Sequence, residues 1–342
     1  MSALTDHYEA LRTEFEYDDP ACDVGSLDGA LVDRAFAATT DQDALRTAPD
    51  RDTLFVASAG LTGTPHVGTV AQMYAVKRFH EAGFDTQFLI ADYEKYAGGG
   101  RDLDVVRGLA DDYRSFLDAI GYEGDVRTQY DATDVLQTAF RLGRYFEFES
   151  DLEFDVEPTT WVEDLRSAYE ADGIENEDAG ERTEFGARLT GLLCLADFVH
   201  PTLADGYDQT VFVLGVDEHA LVLANEHYLD GTPFDAEFEG LFTRMVPGLN
   251  GYPKMSKTIP GSGIQMDMRP DDVRRLVDEA ADDDAPPAES AVYQMQCLVS
   301  EYDAERLAEL AAACQRGDEA WDAAVAEYAD FLADLAASWP DS

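Results

Sequence analysis

The stretch TLFVASAGLTGTPHVGT, Thr53 to Thr69, runs from a short apolar segment through a turn carrying Gly and Pro into the start of a helix. Thr53 to Ala59 has the length and composition of a strand buried on both faces, and Gly60 to Pro65 is the turn. Val67, Val70, Met73, Tyr74 and Phe79 then recur at near-helical spacing, and Gly83 ends the helix. Thr86 to Ala91 is a second apolar strand. A strand–turn–helix–strand unit of this kind lays two parallel strands side by side.

Working outward, Leu103 to Ile120 predicts an amphipathic helix and Val126 to Tyr130 a strand. Residues 133–171 predict helix, 172–184 a polar surface loop, and Phe185 to Leu203 an apolar helix. Thr210 to Leu214 is another buried-type strand, followed by a helix from Asp217 to Leu229 and a further strand over Leu241 to Val246. Gly248 to Gly263 is a loop rich in Gly, Pro and Ser, Pro270 to Ala281 a helix, residues 282–289 a linker, and the remainder to Trp339 helical. The fold class is therefore α/β. A Rossmann-like parallel sheet domain spans 51–269, a helical lead-in spans 1–50, and a small C-terminal helical domain spans 270–342.

Charge separates this chain from most. Asp plus Glu number 71 against 24 Lys plus Arg, a net charge of -47 among 342 residues. The acids are spread along the whole chain, as expected of a surface that stays solvated in molar salt (a halophilic composition). At ~1 M salt the Debye length is roughly 3 Å, so self-repulsion is screened. Only four residues are lysine: Lys77, Lys95, Lys254 and Lys257. The four cysteines, Cys22, Cys194, Cys297 and Cys314, are too far apart for a CxxC metal or redox motif and read as small core residues. No constellation for a protein-bound metal is singled out. The lack of a leader-like N-terminus and of a long apolar stretch predicts a cytoplasmic protein with no membrane partner.

Four segments sit where strands give way to helices or on a Gly/Pro loop. Around Thr64-Pro65-His66-Val67-Gly68-Thr69, free backbone N–H groups and a helix N-terminus favour phosphate. Around Lys254-Met255-Ser256-Lys257-Thr258, two lysines on a mobile loop suit a developing pyrophosphate charge. Gly215-Val216-Asp217-Glu218 suits a ribose hydroxyl or an amino group, or is a helix start carrying acids for the dipole. Asp92-Tyr93-Glu94-Lys95-Tyr96 lies at the carboxyl edge of the inferred sheet, where open α/β folds bind ligands.

The PHVGT turn and the KMSKT loop together resemble the two signatures of class I aminoacyl-tRNA synthetases. The DYEKY and GVDEH segments resemble the tryptophanyl/tyrosyl branch, particularly the archaeal–eukaryal tryptophanyl type, over roughly residues 50–338. The resemblance implies an ATP-dependent ligase that uses Mg2+, takes an amino acid and a tRNA as partners, and forms a homodimer. By that resemblance the catalytic residues are His66, Lys254 and Lys257. Thr64, Gly68, Thr69, Gly215, Asp217 and Ser256 would contact ATP, and Phe55, Glu94 and Glu218 the amino acid. Thr69 stands where the first signature ends in His, and Phe55 and Leu89 stand where the tryptophanyl type carries Tyr and Gln. Tryptophan–tRNA ligation is the leading expectation. A paralogue that activates another amino acid (tyrosine nearest) or does not charge tRNA is one alternative, and a non-catalytic, ligand-sensing or regulatory protein on the same fold is the other.

The charge alone yields a first prediction. Thermal melts of this chain should move to higher temperature as KCl is raised from ~0.1 M to molar concentration, because screening relieves self-repulsion. A midpoint that falls with KCl contradicts this account of the acidic surface.

Overall fold

The computed structural model describes residues 2–340 apart from 150, 151, 153, 155, 156, 172–182, 258 and 282–284. Most of the expected surface loop, the start of the expected linker and Thr258 therefore lie outside the described residues. The first part of the chain runs α1 (Ala3–Glu14), α2 (Gly29–Ala35), β1 (Phe36–Thr39), α3 (Gln42–Thr47), β2 (Thr53–Gly60) and α4 (Val67–Glu81). It continues through β3 (Asp85–Ala91), α5 (Leu103–Ala119), β4 (Asp125–Thr128), α6 (Thr133–Leu142), α7 (Thr160–Ala171) and α8 (Glu184–His200). β5 (Gln209–Gly215), α9 (Ala220–Asp230) and β6 (Phe238–Thr243) complete the sheet region. Four helices close the chain: α10 (Pro270–Ala280), α11 (Ala291–Leu298), α12 (Ala304–Arg316) and α13 (Glu319–Ala337).

The strands form one sheet in the order β1-β6-β5-β2-β3-β4. β2 to β6 are mutually parallel, and β1 runs antiparallel to β6. Chain order reverses at β2, with β3 on one side and β5 on the other. β2 and β5 pair from Thr53↔Gln209 to Ala57↔Val213. Past that register the two strands each run on, and a switch point of this kind opens a crevice at the strands' carboxyl ends.

Both faces of the sheet centre are covered, which is why β2 and β5 are buried almost throughout without alternation. Phe55, Ala57 and Ala59 of β2 join one core with α4, α5 and the C-terminal helices, while Leu54 and Val56 join a second core with α1, α6 and α8. The first core is continuous from the sheet to Trp321 and Tyr328 of α13, so residues after 270 share hydrophobic packing with the sheet. Part of the acidity is structural. Asp28, Asp41, Asp102, Asp303 and Asp318 each cap a helix by accepting backbone N–H groups, α2, α3, α5, α12 and α13 respectively. Among the described residues no helix is long and apolar enough to cross a membrane.

The structure differs from expectation in four places. The lead-in is not wholly helical: Phe36–Thr39 is a fully buried edge strand, because pairing with β6 overrides the helical leaning of an Ala-rich segment. Residues 133–171 break after Leu142 and resume as helix at Thr160. The helix over Phe185 to Leu203 is regular only to His200 and passes into a wider turn over Pro201–Asp205. The last strand is Phe238–Thr243, so Arg244 to Val246 are free to leave the sheet.

Phe55 is fully buried, stacked on Phe79 with ring centroids 4.0 Å apart and edge-on to Phe84 at 5.0 Å. Phe55→Tyr would push a hydroxyl into this aromatic cluster, and a buried hydroxyl without a partner costs about 1–3 kcal/mol. Guanidinium unfolding in molar KCl should show that loss, while selection among amino acids stays unchanged. Altered selection at unchanged stability would return Phe55 to the binding site.

Candidate active site

A cavity of about 280 Å³ opens at the carboxyl ends of β2 and β5, at the switch point. Ser58 and Gly60 of β2, His66, Gly68, Thr69 and Gln72 at the start of α4, and Gly215, Asp217 and Glu218 after β5 line it. Arg244, Lys95, Lys254, Ser256 and Lys257 complete its wall. Three of the four lysines in the chain thus meet in one cavity. The fourth, Lys77, is engaged by Glu81 and Glu301 on α4's far side.

His66 is the N-cap of α4, and its Nδ1 accepts the Gly68 N–H at 2.9 Å. A Cβ at residue 68 would lie 2.7 Å from the His66 ring, so glycine is needed for this close approach. Burial first, then the Lys257 and Lys254 charges, push the imidazole down to about 3. It is therefore neutral near pH 7, and since Nδ1 is an acceptor, Nε2 carries the proton and can donate. The expectation of free backbone donors here does not hold. Val67 N–H is taken by Ile264 O at 3.0 Å, Gly68 N–H by His66 Nδ1, and Thr69 N–H by His66 O at 2.8 Å. What remains for an anion is the helix dipole and the side chains.

The loop after β6 is tied down at many points. Met255 N–H donates to Val246 O at 3.1 Å, Leu249 N–H to Ser262 O at 2.8 Å, and Ser256 N–H to Ser262 Oγ at 3.0 Å. Downstream, Met266 N–H reaches Pro65 O at 3.0 Å, so Ile264 to Met266 lie antiparallel to Pro65 to Val67. Lys257 Nζ donates to Thr62 Oγ1 at 3.2 Å and Tyr113 OH at 3.3 Å. Tyr113 in turn donates to Gly63 O at 3.1 Å and packs edge-on to Trp339 at 5.4 Å. The end of the chain therefore buttresses the lysine. Trp161 of α7 donates its indole N–H to Pro253 O at 3.1 Å and stacks on His7 of α1 at 4.5 Å.

Lys254 Nζ lies 2.6 Å from Asp217 Oδ2. Burial raises Asp217 and lowers Lys254, but each is outweighed by the other's charge, so both stay ionised near pH 7. Burial and the Asp217 charge push Glu218 up to about 7, and its Oε2 accepts the Gly215 N–H at 3.3 Å. A Cβ at Gly215 would lie 2.6 Å from Asp217 Oδ1, so the backbone there must stay bare.

Of the residues singled out from the sequence, His66, Gly68, Thr69, Gly215, Asp217, Glu218, Lys254, Ser256 and Lys257 come together on this cavity. Three do not line it. Phe55 faces the core beneath α4. Thr64 sits at the outer turn, bonded to Asp267 at 3.2 Å. Glu94 points into a buried network in which Gln129 Nε2 bridges it, at 2.8 Å, to Asp197, which Arg127 holds at 2.9 Å. Burial there pushes Glu94 up to about 7. Gln72 and Arg244 also line the cavity without having stood out in the sequence, and Lys95 lay in a segment that did stand out but had no role of its own there. The lysine scarcity that flagged Lys254 and Lys257 applied equally to Lys95, whose Cε would lie 3.0 Å from a Cβ at Gly60.

Residues 156–334 match the family described as tRNA synthetases class I (W and Y). Among solved structures, the chain is similar to tryptophanyl-tRNA synthetase from the hyperthermophilic archaeon Aeropyrum pernix, with TM-score 0.72 and 17% identity over 98% of this chain and 93% of that one. Tryptophanyl-tRNA synthetase from Encephalitozoon cuniculi bound to tryptophan gives TM-score 0.71 at 14% identity, covering 97% and 93%. Tyrosyl-tRNA synthetase from Archaeoglobus fulgidus complexed with L-tyrosine gives 0.66 at 18% identity, covering 98% and 99%. At these identities the likenesses establish the fold alone. No curated protein sequence matches the chain.

The bond from Trp161 to Pro253 predicts a measurable brace on the lysine loop. Endoproteinase Lys-C has only four cleavage positions in this chain. Trp161→Phe keeps an aromatic ring, though a smaller one, but loses the donor, and should speed cleavage after Lys254 and Lys257 several-fold relative to cleavage after Lys77. Unchanged relative rates would show that this bond does not restrain the loop.

Proposed function

Because this chain belongs to the class I tRNA synthetases of the W and Y family, we propose that it activates tryptophan with ATP and transfers it to its cognate tRNA. The family makes the chain an aminoacyl-tRNA ligase, and such enzymes use ATP. The choice of tryptophan draws support from the tryptophanyl structures among its fold neighbours, one of them bound to tryptophan. A homodimer belongs to the same reading.

The observation that carries the proposal is the convergence of Lys95, Lys254, Lys257 and a neutral His66 on one cavity at the switch point. In the first step the amino-acid carboxylate oxygen forms a bond to the α-phosphorus of ATP. The bond from that phosphorus to the bridging oxygen breaks, and pyrophosphate leaves carrying the electron pair. The protein's task is to hold the two reactants in line and to stabilise charge that grows on the leaving group. Lys257, which contacts Thr62 and Tyr113, and Lys254, paired with Asp217, would receive that charge. His66 Nε2–H supplies a neutral donor that needs no protonation event near pH 7. Gly68 and Gly215 let the His66 ring and the Asp217 carboxylate lie close against the backbone of the cavity wall. Glu218 and Asp217 would face the nucleoside or the substrate amino group. Mg2+ would enter with the phosphates, its preferred ligands being phosphate oxygens and water. Asp217 is already committed to Lys254, so it is a poor independent ligand.

Amino-acid-dependent ATP–pyrophosphate exchange in molar KCl tests the reading. Exchange is expected with tryptophan, and Lys257→Ala should lower it on the order of 10²–10³. Exchange with no amino acid overturns catalysis. Exchange with tyrosine alone reassigns the substrate, and exchange without charging of tRNA removes the second step.

A further inference from the structure

Away from the candidate active site, α6, the end of α8 and the turn before β5 meet around one buried histidine. His200 is 2% exposed. Its Nδ1 lies 2.8 Å from Thr138 Oγ1 of α6, which fixes the ring. Its Nε2 is buried and, among the described residues, has no hydrogen-bond partner, although two carboxylates face it. Asp134 Oδ2 is 3.5 Å away and Asp205 Oδ1 is 3.3 Å away. The three ligand atoms all lie within 4.8 Å of one another.

We propose that Asp134, His200 and Asp205 hold one divalent transition-metal ion, Zn2+ by the nature of the donors, as a clamp on the fold. The separations are the first argument. A charged N–H···O bond closes to roughly 2.7–2.9 Å, and neither carboxylate does so. Ligand bonds of roughly 2.0–2.1 Å at tetrahedral angles put ligand atoms about 3.3–3.4 Å apart, and both carboxylate distances from Nε2 sit near that value. The second argument is the orphaned nitrogen. A buried ring nitrogen without a partner is costly, and a metal ion satisfies it. Thr138 on the other nitrogen acts as the outer partner that metal-bound histidines keep.

The donor chemistry selects the ion. One imidazole nitrogen with two carboxylate oxygens suits Zn2+ or a similar transition ion, whereas Mg2+ and Ca2+ prefer oxygen alone. Two carboxylates and a neutral imidazole balance the charge of such an ion. Asp134 Oδ1 accepts the Val135 N–H at 3.0 Å, which leaves Oδ2 turned toward His200. The neighbouring Arg127 guanidinium is held by Asp197 at 2.9 Å. The Asp134 and Asp205 side chains are 68% and 42% exposed, so the ion has a path from solvent and water can fill the remaining position. The bound ion would join α6 to the end of α8 and to the turn that leads into β5. The far end of β5 carries Gly215 and the acids of the candidate active site.

The test compares the full chain, stripped with chelator, with an Asp134→Asn, Asp205→Asn double variant. Both changes are at solvent-reachable carboxylates, and far-ultraviolet circular dichroism checks that the variant folds. In molar KCl with excess Mg2+, the wild-type chain should take up one more equivalent of Zn2+ than the variant. Added Zn2+ should raise the melting temperature of the wild type and leave that of the variant unmoved. Co2+ in place of Zn2+ should give the visible bands of a low-coordinate site in the wild type only. Equal uptake by the two proteins, or a wild-type melting temperature that Zn2+ does not raise, overturns the proposal. Neither readout depends on aminoacylation.

Discussion

The candidate site depends on a short antiparallel bridge between two segments about 200 residues apart in the chain. Val67 N–H donates to Ile264 O and Met266 N–H donates to Pro65 O, each at 3.0 Å. The bridge does two things at once. It removes a backbone donor from the start of α4, so that end of the helix works through its dipole and through His66. It also anchors the far end of the lysine loop beside the histidine, so Lys254, Lys257 and His66 are held near one another by backbone geometry. The bonds of Lys257 to Thr62 and Tyr113, and of Lys254 to Asp217, then orient the two side chains on that anchored loop.

Around that bridge the charges are arranged economically. A chain with net charge -47 has few cations to spend on repulsion-free packing, and three of its four lysines face one cavity. Mutual pairing keeps Lys254 and Asp217 ionised, whereas burial and the Asp217 charge push Glu218 up to about 7. Acids elsewhere cap helices or sit in exposed pairs with arginine, such as Arg12 with Asp19 and Arg274 with Asp330. Exposed pairs of this kind contribute little individually, roughly 0–1 kcal/mol, and less in salt. The cationic cavity is thus locally distinct from the surface that surrounds it.

Much of the site was legible because its residues are chemically unusual for this chain. A lysine in a lysine-poor sequence, a glycine just inside a helix and an acid at a strand's carboxyl end each stand out without coordinates. Phe55 and Glu94 lie off this cavity for a different reason. A residue's register along a strand shows that it is buried, but not which face it serves, and Phe55 serves the α4 face. Glu94 lies one residue from Lys95, and the turn there sends the glutamate inward to Gln129 and the lysine to the cavity.

By itself, the sequence determined the order of the central strands and helices, the acidic solvated surface, and the two loops that carry the lysines and the histidine. Apolar runs, helical spacing and Gly or Pro breaks are local properties, and they are enough for that. Only the tertiary structure decided that Phe36–Thr39 is a strand, since its partner β6 is about 200 residues away. It also decided that the α4 amides are occupied, that Lys95 joins the cavity, and that Asp134, His200 and Asp205 converge. Each of these depends on contacts between segments remote in sequence, where pairing and burial override local preference.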